Sequence, residues 1–223
     1  MLCIIMFETN PISDIHIQKC YDHYKYNDHG YVWRKVFIVD NFYKNPDEVA
    51  EFALSHTPSY DKSVCSGLIG GRVWEDNPEM IKNLKPVFEQ LCQHKEWYNL
   101  KWDQEDFDSK WNKMKFMVNV TSGEDIAKAF EGKRWCHTHH KDNEEYKWAA
   151  LVYLSDGSGG TNFYQFKEDD AYAENYDMKK DVVFTSEMKY NRMVLYEARQ
   201  THGAILNRDM FNENPRLAQV FFM

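Results

Sequence analysis

Residues 135–166, WCHTHHKDNEEYKWAALVYLSDGSGGTNFYQF, constrain the fold more than any other stretch of the chain. A cluster of polar, metal-capable side chains stands directly before two strand-like runs, and Gly159-Gly160 reads as the connection between them. In an extended segment, positions i and i+2 point to the same face, so His140 and Asp142 project together and can reach one ion. A third ligand of the same kind, His202, follows another apolar run, NRMVLYEA.

At 223 residues the chain is long enough for one generous domain, and 43% hydrophobic with 16% aromatic residues argues for a large packed interior rather than disorder. The expected organisation is a single domain over 1–223, with 1–100 as a strand and helical support and 110–223 as the β-rich core. A net charge of −8 gives no global footprint for a polyphosphate, which disfavours a nucleic acid and leans toward a small or basic substrate. The five cysteines are odd in number, lack C-x-x-C pairing and read as free thiols in a reducing compartment. MLCIIM has no basic flank and is too short to span a membrane, so the expectation is a soluble cytoplasmic protein. Oligomeric state leaves no mark in the sequence.

Residues 11–31 are polar and tyrosine-rich without a sustained period, and are expected to be irregular. VWRKVFIVD (32–40) predicts a strand, and Asn45-Pro46 with Asp47 and Glu48 predicts the capped start of a helix whose Val49, Phe52, Ala53 and Leu54 lie near one face. Asn77-Pro78 repeats the signal for a second helix, with Ile81, Leu84, Val87, Phe88 and Leu91 at helical spacing and Pro86 expected to kink or restart it. GLIGGRVWE (67–75) lacks the Gly-Lys-Ser/Thr of a phosphate loop and reads as turn-rich scaffold or a cleft-lining loop. From residue 110 the pattern is expected to be β, interrupted by an acidic exposed loop or short helix at 167–181.

Two imidazoles and one carboxylate cover one face of an octahedron and leave three positions open, the ligand set of non-haem Fe(II) oxygenases. In PRLAQVFFM, period 2 places Arg216, Ala218, Val220 and Phe222 on one face, and an arginine facing a barrel interior needs an anion. Its planar guanidinium can hold a carboxylate through two hydrogen bonds.

The succession His140-x-Asp142, YLSDGSGGTNFY, NRMVLYEARQTHGA with His202, and PRLAQVFF with Arg216 resembles the Fe(II)- and 2-oxoglutarate-dependent oxygenases, particularly their prolyl-hydroxylase-like branch and its phage-encoded relatives. The resemblance covers the C-terminal half, with VFIVDNFYKNPDEVAEFA a weaker match upstream. It implies an α+β protein built on a double-stranded β-helix, a jelly-roll or cupin-like barrel, with N-terminal helices packed outside. It implies Fe(II) on His140, Asp142 and His202, 2-oxoglutarate with its far carboxylate on Arg216, and O2 at the remaining position. Tyr153, Asn119 and Thr161 are implied as further contacts for 2-oxoglutarate. The implied reaction is oxidation, in most relatives hydroxylation, of an amino acid, a peptidyl side chain or a small metabolite, and the phage-encoded relatives raise the prospect of a virus-encoded enzyme.

Each feature also has a plainer explanation. His137, His139 and His140 could form a solvated loop or a zinc site, and His137 or His139 could stand behind the ligands or on the substrate side. Arg216 could close an internal salt bridge, Tyr153 and Asn119 could be ordinary core residues, and the barrel could be a silent binding or virion-associated module.

Overall fold

The computed structural model describes residues 6–25, 31–65, 68–97, 100, 103–132, 139–165 and 181–223. These form a mixed α/β architecture with a large antiparallel sheet. The strands are β1 (His16–Lys25), β2 (Tyr31–Val39), β3 (Gly71–Glu75), β4 (Phe116–Thr121), β5 (His139–His140), β6 (Trp148–Tyr153), β7 (Gly160–Tyr164), β8 (Val182–Glu187), β9 (Met193–Glu197), β10 (His202–Ile205) and β11 (Arg216–Phe222). The helices are α1 (Pro46–Leu54), α2 (Lys62–Cys65), α3 (Pro78–Cys92), α4 (Gln104–Trp111) and α5 (Gly123–Glu131). Seven strands in the order β1-β2-β9-β6-β11-β4-β3 make one sheet, and β5-β10-β7-β8 make a second. The sheets touch where Phe163 of β7 stands against Tyr196 of β9, ring centroids 5.1 Å apart.

β11 shows why its sequence is an unbroken apolar run. One face, carrying Arg216, Ala218, Val220 and Phe222, lines a cleft between the sheets. The other turns toward the helices, where Phe221 packs on Phe88 of α3 at 4.7 Å and buried Gln219 accepts a 2.7 Å hydrogen bond from the Tyr43 hydroxyl. Because both faces are covered, alternation of polar and apolar residues disappears from the sequence. Val49 and Ala53 of α1 and Met80, Leu84, Phe88, Leu91 and Cys92 of α3 join this outer core.

The two Asn-Pro signals differ in detail. Asn77 accepts from the Met80 N–H at 2.9 Å, whereas Asn45 makes no side-chain cap. Leu54, expected on the buried face of α1, is 58% exposed, because the buried stripe runs through Val49 and Ala53 and the next residue turns about 100° away from it. Pro86 does not restart α3, which runs unbroken from Pro78 to Cys92 while packing on its buried face replaces the missing backbone bond. Residues 11–31, expected irregular, contain β1, which pairs with β2 over most of its length. GLIGGRVWE is not a loop throughout, since Gly71–Glu75 forms β3 on the sheet edge. The β region begins at Phe116, not residue 110: Trp111 closes α4, with Asp103 capping its start. α5 is opened by a reciprocal Ser122–Asp125 capping box, a signal legible in SGED and overlooked in the sequence. The acidic insertion at 167–181 lies, apart from Asp181, outside the described residues, as does His137. No described helix is long and apolar enough to cross a membrane.

The Gly159-Gly160 connection carries positive φ at both residues, +137° and +138°, and a Cβ on Gly160 would meet the Ser186 carbonyl oxygen at 2.1 Å. Glycine at 160 is therefore what lets β7 draw alongside β8.

At the far end of the β8–β9 turn, Asp40 holds Arg192 through Nε at 2.6 Å and Lys189 through Nζ at 2.7 Å. The Arg192 hydrogen bond, with Lys189 adding to it, brings the Asp40 carboxyl down to about 2 against a smaller opposing effect of burial. A depressed carboxylate stabilises the fold above its unfolded pKa, and that contribution is lost as pH falls through the folded value. Asp40→Asn is expected to cost up to about 1 kcal/mol at neutral pH, given the partial exposure of the pair. The deficit relative to wild type should shrink below pH 4 and vanish near pH 2, which urea melts across that range would measure.

Candidate metal centre

β5 and β10 are antiparallel neighbours, and their register sets His140 directly opposite His202. Beyond the end of β5, the Asp142 N–H donates to the Ala198 carbonyl at 3.0 Å, which fixes the carboxylate next to both imidazoles. His140 Nε2 lies 3.6 Å from Asp142 Oδ1, and His202 Nε2 lies 3.8 Å from Asp142 Oδ2. One ligand atom from each residue falls within 4.8 Å of the others, and these three are the metal-capable cluster among the described residues. His139 points to the opposite face, its ring 5.7 Å from that of Tyr164.

The connection before β10 is built to present His202. Gln200 donates Nε2 to the Tyr164 carbonyl at 2.6 Å, and the Tyr164 N–H donates to the Thr201 carbonyl at 2.9 Å. The Gln200 carbonyl accepts from His202 Nδ1 at 2.9 Å, so Nε2 carries the lone pair that faces Asp142. Burial pushes the His202 imidazole down to about 4, outweighing the opposing attraction of Asp142. At neutral pH the ring is therefore uncharged, and its approach to Asp142 is not an ion pair.

Asp142 is 8% exposed, and its buried Oδ2 has no hydrogen-bond partner. A carboxylate oxygen removed from water without a donor is costly, and a cation between it and two imidazole nitrogens removes that cost. The donor set and this orphaned oxygen fit a divalent metal such as iron.

Arg216 is 4% exposed, and its buried Nε also has no partner. Its guanidinium lies 5.7 Å from the centre of the Tyr153 ring. Burial lowers its affinity for a proton, opposed by the fields of Tyr153 and Tyr196. Among the described residues no acidic side chain pairs with it. A buried cation of this kind fits an incoming anion.

The structure distributes the other three expected residues differently. Thr161 and Asn119 line the cleft, whereas Tyr153 stands behind it, bonded to Thr161 Oγ1 at 2.8 Å and lying under Arg216. The Asn119 Oδ1 is engaged by Arg72 Nε at 2.8 Å. Two cleft residues escaped the sequence analysis. Tyr196 donates its hydroxyl to His202 Nε2 at 3.0 Å, and burial together with Asp142 keeps it a phenol. Arg72 faces the cleft from β3. Alternation in MVLYE and GRVWE could have put both on an inner face, had the strands been placed.

A profile of a family described only as of unknown function, DUF6445, matches residues 23–185. No curated protein matches the chain. Among solved structures, the non-heme alpha ketoglutarate dependent epimerase SnoN from nogalamycin biosynthesis aligns at 13% identity and TM-score 0.40, over 83% of this chain and 76% of its own. An oxidoreductase of the 2OG-Fe(II) oxygenase family from Burkholderia pseudomallei aligns at 8% identity and TM-score 0.28, over 93% of this chain and 72% of its own.

The orphaned oxygen generates a stability prediction. In metal-free protein, Asp142→Asn should raise stability by about 1 kcal/mol or more, because a buried charge without a donor is exchanged for a neutral amide. The same variant should lose divalent-metal binding, so urea melts in chelator and a metal titration should move in opposite directions.

Proposed function

We propose, for a chain that belongs to the DUF6445 family of unknown function, that it is an Fe(II)- and 2-oxoglutarate-dependent dioxygenase. What carries this reading is one juxtaposition: a cluster of half-exposed His140 with buried Asp142 and His202, holding a donorless carboxylate oxygen, shares a cleft with a buried arginine that has no acidic partner among the described residues. His140, Asp142 and His202 would hold the iron. Arg216 would take the far carboxylate of 2-oxoglutarate, steadied by the Tyr153 ring beneath it, with Thr161 and Asn119 along the wall. When bound, iron with 2-oxoglutarate and O2 supplies an oxidant by coupling decarboxylation of the keto acid to succinate with oxidation of the substrate.

The chain's own residues perform the rest. The Gln200 carbonyl keeps the His202 lone pair turned inward, and the two sheets exclude bulk water from Asp142. Tyr196 gives up its acceptor when the Nε2 lone pair is taken, and its phenol becomes a hydrogen-bond donor to other groups in the cleft. We read the paired sheets as a double-stranded β-helix of the prolyl-hydroxylase-like branch, forming one unit with its N-terminal support. The outcome in this reading is hydroxylation of an amino acid, a peptidyl side chain or a small metabolite.

Anaerobic titration of metal-free protein with Fe(II) and then 2-oxoglutarate tests it. The visible charge-transfer band of an iron-chelated keto acid should appear, and should be absent in Asp142→Ala and His202→Ala. Arg216→Ala should keep the band but raise the 2-oxoglutarate midpoint at least tenfold, as expected for loss of ~1.5–3 kcal/mol of charge-assisted hydrogen bonding. Tight zinc binding with no band, and no effect of 2-oxoglutarate, would sink the oxygenase reading in favour of a zinc site.

A further inference from the structure

The cleft is larger than the metal position and Arg216 require. At about 930 Å³ it lies near the top of the ~300–1,000 Å³ range of pockets that enclose a drug-sized molecule. There is room for a second molecule beside a five-carbon dicarboxylic acid.

The wall of that extra space has a distinct chemistry. β3 is one edge strand of the large sheet, and its alternation puts Arg72 and Trp74 on the cleft side. Arg72 stands opposite Asn119, which stands opposite Ala218, so all three share the inner face. The 2.8 Å bond from Arg72 Nε to Asn119 Oδ1 holds the guanidinium at the wall. Lys113 and Lys115, in the connection between α4 and β4, line the same cleft at the Glu75 end of β3. Lys115 pairs with Asp76, while Lys113 has no acidic partner among the described residues. Trp74, 40% exposed, supplies with Met114 and Met117 an apolar surface beside these cations.

Arg216 lies opposite Thr121 on β4, two residues from Asn119, and on the strand that flanks β4 on the side away from Arg72. Strand geometry separates the two arginine backbones by about 12 Å. They therefore define two anion positions rather than one clamp.

Resting on the oxygenase reading for the identity of the site, we propose that the substrate is an anion with an apolar or aromatic body. Its carboxylate or phosphate sits on Arg72, and its apolar part lies along Trp74, Met114 and Met117 toward Lys113. This departs from the leaning toward a basic substrate that the overall charge of −8 suggested, because the local wall is cationic where the chain as a whole is acidic.

The test uses three probes: N-acetylphenylalanine, its neutral amide, and phenyl phosphate. Binding is measured by calorimetry at low salt, in metal-free protein and in protein loaded anaerobically with Fe(II) and 2-oxoglutarate. The acid should bind at least tenfold more tightly than the amide, and phenyl phosphate shows whether the site accepts phosphate as well as carboxylate. Arg72→Gln should abolish the preference. Lys113→Gln, on an exposed side chain at the far end of this wall, should leave the preference in place, and Arg72→Lys should restore part of it. The 2-oxoglutarate midpoint, read from the charge-transfer band, should stay put in Arg72→Gln. Equal binding of acid and amide, no binding of either anion, or a shift of that midpoint would overturn the proposal. Absence of the band with the acid preference intact would instead remove the oxygenase reading and leave the anion site standing.

Discussion

A carboxylate oxygen buried without a donor is the constraint around which this molecule is arranged. Asp142 Oδ2 has no hydrogen-bond partner, and the His202 imidazole 3.8 Å from it is uncharged at neutral pH. Nothing in the local packing requires an acid there, since a neutral residue of similar size would avoid the desolvation cost. Two imidazole nitrogens stand beside it, and the three groups together form the metal-capable cluster among the described residues. The β5–β10 register, the Asp142 backbone bond to Ala198 and the Gln200 carbonyl on His202 all serve to hold three donors at one point.

The large sheet makes this affordable by dividing labour between its faces. On one side of β11, Phe221 and Gln219 are locked into aromatic and hydrogen-bonded contacts with α3 and Tyr43. On the other, Arg216, Ala218, Val220 and Phe222 border the cleft. A side chain as costly to bury as Arg216 is held in place by a strand whose opposite face is fully packed. The Tyr153 ring below the guanidinium and the Thr161 hydroxyl on Tyr153 extend that rigidity from the large sheet into the small one.

The sequence revealed the parts of this arrangement that depend on local periodicity. His140 and Asp142 share a face because an extended chain alternates, and the four cleft residues of β11 follow from the same rule. The Asn77 cap is legible because it satisfies nearby backbone donors. What escaped was set by distant partners. β1 has no period of its own and is a strand because β2 pairs with it. Pro86 is tolerated in α3 because Leu84, Phe88 and Leu91 anchor the helix from the core. Tyr196 and Arg72 look like ordinary strand residues until the sheet order places β9 beside β6 and β3 at the edge.

That last pair exposes the limit of net charge as a guide to ligands. A total of −8 averages over the whole surface, whereas a ligand inside a cleft responds to the charges lining it. Here the walls contribute Arg216 deep in the cleft and Arg72 at the strand edge; of the acids that line it, Asp142 belongs with the imidazoles and exposed Glu145 lies 3.9 Å from Lys110. The exposed acidic side chains lie in high dielectric and are screened within a Debye length of about 8 Å in physiological salt, while a buried guanidinium is screened far less. The field inside the cleft is therefore set by a few buried and half-buried cations, and an acidic protein can present a cationic site.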